Sequence, residues 1–312
     1  MLFSQPFCPH FYEVCFPSEF HAKIQRTFRK LFLLTMLTLS TDSLKGYGLN
    51  RIFNFIKQAK YEGVDLAIDL KNYDTQNIEY VKMLADQYQL PVVAIQAPPN
   101  ANPHKIQEVV KMAKTLGCRI IVIQPPKIFD FKYIQWLKNE IPKIRQKENI
   151  SIALENSPSD TFLGIIPEHA MGNINEMKKF KHACIDTTRV AQKHEDLIRV
   201  YKALKKFLVH VHLSNIKTGR QYFLPQEGIL PIESFLTKLK QDSFPGSVAI
   251  KVNPKFLNVG DDEKVLKNLT DIKLFYDTYF TNVKVMPVSA SMPNESGATS
   301  ETANEEDDEN AN

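Results

Sequence analysis

From residue 36 to residue 280, short apolar runs alternate with longer stretches in which apolar residues recur every three or four positions. The short runs have the length of buried strands, and the longer stretches have the spacing of one helix face. Strands are expected at 36–40, 65–69, 91–96, 119–124, 150–155, 182–187, 207–213 and 247–252. Ile106, Val109, Val110, Ala113 and Leu116 mark one helical face, and Gly117 follows where a helix C-cap glycine belongs. Tyr133, Ile134, Leu137, Ile141 and Ile144 mark a second face; Val265, Leu266, Leu269, Ile272, Phe275, Tyr276 and Tyr279 mark the last. Strands that alternate in this way with crossover helices describe an α/β fold, a single (β/α)₈ TIM barrel over residues 36–282. An open, doubly wound sheet is the rival. It usually announces a nucleotide by a glycine-rich first turn, and no G-x-G-x-x-G run occurs here.

The pattern stops at both ends. Residues 1–35 are aromatic, carry Pro6, Pro9 and Pro17, and lack the basic-apolar-small order of a secretory signal. They are expected to be a non-core extension, with Met36, directly before the first strand, as the natural start. Residues 283–312 are expected to be a disordered acidic tail. After Lys284 that tail holds seven acids and no base, so the chain before it sets 39 bases against the remaining 28 of 35 acids. A basic body attracts phosphorylated compounds or nucleic acid only non-specifically, and solvated lysines on outer helices are the plainer account. No apolar run approaches the roughly 18 residues of a membrane span. The four cysteines form no framework: Cys8 and Cys15 lie in the leading segment, Cys118 and Cys184 in or beside strands. The expected setting is reducing and cytoplasmic.

In a barrel, chemistry gathers where strands finish. The polar residues there are Gln96, Gln124, Glu155 with Asn156, Asp186, His212 and Lys251. Two carboxylates in one dry pocket cost free energy unless a cation compensates them, so Glu155, Asp186 and His212 together point to a site. Gln96 or Gln124 alone reads more simply as a lining residue satisfied by its neighbours. His210 is expected to turn away from His212, toward the helices. Lys217 and Arg220, in the loop after the seventh strand, could grip a phosphate or carboxylate, although solvated loop charges explain them as well.

These segments together resemble the xylose isomerase-like TIM barrels, the sugar phosphate isomerase/epimerase group with its endonuclease IV-type relatives. The resemblance covers roughly residues 36–280. It rests on Gly63-Val-Asp-Leu-Ala-Ile in the second strand, Ala153-Leu-Glu-Asn at the fifth and Cys184-Ile-Asp at the sixth. His210-Val-His-Leu at the seventh and Glu227-Gly-Ile-Leu-Pro before the closing strand complete it. The resemblance implies proton transfer next to a carbonyl of a small carbohydrate or sugar phosphate. It also implies Mn²⁺ or Mg²⁺ held by Glu, Asp, His and Glu. Glu155, Asp186 and His212 match the first three ligands, and Lys251 stands in place of the fourth. Arg189 stands where a histidine often follows the aspartate, and Asn215 where an aspartate is common. The endonuclease relatives need many histidines and acids for a trinuclear zinc cluster; too few are present, so no nucleic-acid partner is expected.

Two carboxylates with one ammonium carry the same net charge as three carboxylates with a divalent ion. Lys251 can therefore replace the ion and the missing acid together. A divalent ion about 4 Å from that ammonium would be repelled by roughly 8 kcal/mol at an effective dielectric of 20. The expectation is a weak or absent metal site. Lys251 then serves as a general acid or as an internal cation polarising a carbonyl, with Glu155 as base. Gln96, Gln124, Asn156, Arg189, Lys217 and Arg220 are the candidate substrate contacts. A Schiff-base lysine would need a depressed pKa, which two adjacent carboxylates oppose. The other open reading is a catalytically inactive barrel that binds a small molecule, with Lys251 an ion-pair strut.

Overall fold

Each apolar run enters one closed sheet because its residues must be covered on both sides. In the computed structural model the strands are β1 (Met36–Ser40), β2 (Gly63–Ala67), β3 (Val92–Gln96) and β4 (Ile120–Ile123), then β5 (Ser151–Glu155), β6 (Ala183–Asp186), β7 (Leu208–Leu213) and β8 (Ser247–Ile250). All pair in parallel with their sequence neighbours, and β1 closes on β8 with Met36 opposite Ser247 and Leu39 opposite Ile250. The structure describes residues 35–282 apart from 163 and 164. Residues 1–34 of the expected leader and the whole of the expected acidic tail lie outside the described residues.

The helices around the barrel are α1 (Leu49–Gln58), α2 (Ile78–Tyr88), α3 (Pro103–Thr115), α4 (Phe131–Glu148) and α5 (Ile174–Phe180). After them come α6 (Thr187–Gln192), α7 (Leu197–Leu204), α8 (Ile232–Gln241) and α9 (Asp262–Tyr276). Side-chain caps start most of them: Asn77, Asn102, Asp130, Asn173, Asp186, Asp196 and Asp261 each accept a backbone N–H of the first turn. Gly117 follows α3 with φ +68°, the left-handed conformation that a C-cap glycine adopts without penalty. The predicted faces of α3, α4 and α9 pack inward as expected: Ile106, Val109, Leu137, Ile141, Val265 and Leu269 are buried.

Two differences from the expected strands matter for the site. The second strand starts two residues early, at Gly63, where a Cβ would meet Val93 Cγ2 at 2.6 Å and Pro91 O at 2.8 Å. That close approach to β3 needs glycine, and it places Asp65 mid-strand and fully buried. The last strand ends at Ile250, so Lys251 is the first residue beyond it, held to the ladder by its N–H bond to Leu213 O at 3.0 Å.

Most of the apolar core fills the layer between sheet and helices, including Leu37, Leu39, Ile95, Phe53 and Leu236. The inside of the barrel is different. Val122, Ala153 and Cys184 make a small apolar cluster there, and Thr38, Ser40, Asp65, Gln96, Glu155, His210, His212 and Ser247 are buried polar side chains. The expectation that His210 faces the helices is wrong. Residues two apart in a strand share a face, so His210 lies inside with His212, ring centroids 4.9 Å apart and edge to face.

Candidate functional site

Strand order alone brings four of the expected residues to one point at the C-terminal end of the barrel. Glu155 ends β5, Asp186 ends β6, His212 lies in β7 and Lys251 follows β8. The first three side chains are at most 1% exposed and Lys251 is 12% exposed. Glu155 Oε1 accepts from His212 Nδ1 at 2.5 Å and lies 3.5 Å from Lys251 Nζ. Lys251 Nζ is also 3.4 Å from His212 Nδ1 and 3.9 Å from Asp186 Oδ2. An ammonium thus lies among the three side chains expected as metal ligands.

Arg189 closes the other side of Glu155, with Nη1 2.6 Å from Oε2. The same nitrogen donates to Asn156 O at 2.9 Å, and Nε donates to Tyr222 OH at 3.4 Å. Asp186 accepts the Arg189 N–H at 3.1 Å, so one carboxylate caps α6 and faces Lys251. Asn156 is a strand tie. Its amide donates to Asp186 O at 3.1 Å, and its oxygen accepts the Asp186 N–H at 2.7 Å.

Beneath this cluster Asp65 Oδ2 lies 3.4 Å from His212 Nε2 and accepts the Gln96 amide at 2.5 Å. Gln96 also donates to Ser40 Oγ at 2.8 Å. Cys184 Sγ lies 3.8 Å from His212 Nδ1.

Charge in so dry a place must be compensated group by group. Burial pushes the Glu155 carboxyl up, but Arg189, Lys251 and His212 overcome it and hold it well below the usual carboxylate range. Burial likewise disfavours the Lys251 ammonium, and Glu155 and Asp186 overcome it, so Lys251 stays charged beyond its ordinary range. Burial opposes charge on His212; its neighbours, Glu155 and Asp65 among them, outweigh it and raise the imidazole well above its usual value. His210 has no such support. Burial, and then the charge of His212, push it down to about 3.

Gln124, Lys217 and Arg220 are not part of this cluster. Gln124 lines a cavity of about 890 Å³ at the ends of β3 and β4, with Asn100, Pro125, Tyr133 and Trp136. Lys217 and Arg220 lie on a hairpin of Asn215–Lys217 and Arg220–Phe223. Lys217 Nζ is 3.5 Å from Glu227 Oε2, and Arg220 packs over Phe223 and Phe256.

Sequence reasoning missed two residues of the site. Asp65 stands between Val64 and Leu66 in a fully buried strand, and an acid there needs a partner; that signal was available. Tyr222 reaches Arg189 from a left-handed backbone position, φ +53°, in the hairpin. Burial pushes its phenol up to about 12. No local sequence signal marks it.

Against known proteins, a family model described as xylose isomerase-like TIM barrel matches residues 53–269. The uncharacterized protein ML2432 of Mycobacterium leprae is 23% identical over 272 residues, covering 77% of this chain and 96% of its own length. A solved L-ribulose 3-epimerase shares the fold with a TM-score of 0.57 at 11% identity, covering 79% of this chain and 96% of its own. The IolI protein, solved with a zinc atom, gives a TM-score of 0.56 at 15% identity, over 79% of this chain and all of its own.

Proposed function

This chain belongs to the xylose isomerase-like TIM barrel family, and from that premise we propose that it moves a proton between adjacent carbons of a small carbohydrate or sugar phosphate, using the Lys251 ammonium where relatives use a divalent metal. One observation carries the reading. Lys251 Nζ lies 3.4–3.9 Å from His212 Nδ1, Glu155 Oε1 and Asp186 Oδ2, in the space a metal held by these donors would need. Arg189 engages the second oxygen of Glu155 as well. With that ammonium in place the residues present do not fit Mn²⁺ or Mg²⁺ at that point.

In this reading the substrate carbonyl oxygen meets Lys251 Nζ, and charge developing on it as an enediolate forms is held by the ammonium. Drawing the ammonium onto substrate removes one of the cations that depress Glu155, which raises its basicity as the C–H bond comes within reach. Asp186 keeps Lys251 in place from the far side. Gln124, Asn156, Arg189, Lys217 and Arg220 are the remaining candidate substrate contacts, with Gln96 acting through Asp65. The free, buried thiols of Cys118 and Cys184 support a reducing, cytoplasmic setting. Among the described residues no helix is long and apolar enough to cross a membrane.

The second reading, a binding protein without catalysis, is favoured by a specific feature: Arg189, Lys251 and His212 are all engaged with Glu155 itself. Deuterium incorporation separates the two. Aldoses, ketoses and their phosphates are incubated with the protein in D₂O containing a chelator, and exchange beside the carbonyl is read by mass spectrometry. Exchange that persists with chelator and is lost in Glu155→Gln is the expected result. Exchange that requires added Mn²⁺ would overturn the ammonium reading. Ligand-induced thermal shifts without exchange would favour the binding protein.

A further inference from the structure

His212 is accounted for on one edge of its ring and not on the other. Its Nδ1 meets Glu155 Oε1 at 2.5 Å, and the corresponding atom of His210 meets Ser247 Oγ at 2.7 Å. Asp65 Oδ2 accepts the Gln96 amide. The opposite atoms, Nε2 of both histidines and Oδ1 of Asp65, have no hydrogen-bond partner although all three residues are fully buried. They face one another. His212 Nε2 is 3.4 Å from Asp65 Oδ2, His210 Nε2 is 4.0 Å from Asp65 Oδ1, and one donor atom from each residue fits within a 4.8 Å group.

An unpaired polar atom is costly to bury, so three converging ones call for a shared occupant. A proton on His212 Nε2 serves one Asp65 oxygen and leaves His210 Nε2 and the other oxygen unpaired. A cation serves all three. A histidine that binds metal usually donates its other ring N–H to an acceptor, which turns the lone pair toward the ion. Glu155 and Ser247 stand in those acceptor positions. Ligands about 2.0–2.2 Å from a tetrahedral ion lie roughly 3.3–3.6 Å apart; the 3.4 Å spacing of His212 falls in that range, and the 4.0 Å spacing of His210 must shorten to reach it. Two imidazoles and one carboxylate suit Zn²⁺ rather than Mg²⁺ or Ca²⁺.

We propose that Asp65, His210 and His212 hold a zinc ion inside the barrel, on the edge of His212 turned away from Lys251. This position differs from the family's metal position, which lies on the Nδ1 edge with Glu155 and Asp186. All three donors are fully buried, so the ion is structural: it fixes the ring of His212 and, through Nδ1, the carboxylate of Glu155. The inference does not depend on the role given to Lys251.

The test uses the full chain refolded with zinc chloride and dialysed against metal-free buffer, with bound metal read by elemental analysis. About one zinc per chain is expected in the wild type and in Lys251→Met, and loss of most of it in Asp65→Asn and His210→Gln with circular dichroism unchanged. Zinc K-edge absorption on the wild type needs no variant to fold, and two imidazole nitrogens in the first shell are expected. No retained zinc, a one-imidazole shell, or retention in His210→Gln would each overturn the proposal.

Discussion

Lys251 Nζ and His212 Nδ1 stand 3.4 Å apart, two nitrogens directed at the same oxygen of Glu155. Two donors repel unless something between them carries negative charge, and here that is the Glu155 carboxylate with Asp186 behind it. Removing the ammonium therefore leaves acids short of a partner rather than relieving a strain. Lys251→Met should destabilise the protein at the low end of the roughly 3–5 kcal/mol that breaking a buried pair costs, because Arg189 still holds Glu155. Urea denaturation at pH 7 checks this; an unchanged or higher midpoint would mean that the ammonium contributes nothing net.

Replacing the cation by an acid should have the opposite chemical consequence. Lys251→Glu gives Glu155, Asp186 and His212 a fourth ligand, the third carboxylate, and removes the competing charge. Mn²⁺ should then bind and raise the thermal midpoint of the variant, with little effect on the wild type. The spin-resonance signal of free Mn²⁺ in titrations of both proteins reads this directly.

How much of this was legible follows from the physics of each element. The barrel was readable because every strand is a short apolar run, and the ends of β5 to β8 put Glu155, Asp186, His212 and Lys251 together by topology alone. Asn156 and Arg189 joined them because they lie one and three residues beyond strand ends. His210 was misplaced through a misapplied rule, since strand alternation itself puts it on the face of His212. Tyr222, Lys217 and Arg220 were beyond reach for another reason. The path of their hairpin is set by contacts of Asn215 with Pro225 and Leu230, which no local pattern encodes.

The two histidines of β7 should leave a signature in acid. His210 is pushed down to about 3 in the folded chain, against an ordinary 6.5 when unfolded. Below 6.5 the unfolded state takes up a proton that the folded state refuses, so stability falls from there toward pH 3. Glu155 and Asp65, both depressed, contribute stability that is present above their unfolded values and is lost as pH falls through their folded ones. His212 and Lys251, both raised, act on the other side: their contributions are complete below their unfolded values and fade as pH rises through their folded values. With chelator keeping both proteins free of metal, His210→Asn should therefore flatten the decline between pH 6.5 and 5, where the carboxylates do not yet titrate. Thermal midpoints of both proteins across that window test it, and parallel curves would count against a neutral, buried His210.

Asn215 stands where the family commonly has an aspartate, and its amide explains why an acid would serve poorly in this chain. Nδ2 donates to Pro225 O at 3.0 Å, while Oδ1 accepts from Leu230 N at 2.9 Å and from Ile216 N at 2.8 Å. Gly228 lets the loop close over that side chain, since a Cβ there would meet Asn215 Cγ at 2.3 Å. Asn215→Asp keeps both acceptor bonds but turns the donor into a second oxygen facing a buried carbonyl. It should cost about 1–3 kcal/mol, the penalty of leaving a buried polar group unpaired, with repulsion added. Because the same hairpin carries Tyr222 to Arg189, the loss should spread to the site and weaken any ligand-induced thermal shift. Equilibrium denaturation of Asn215→Asp beside Asn215→Ser, which removes the amide without adding charge, separates the lost donor from the repulsion.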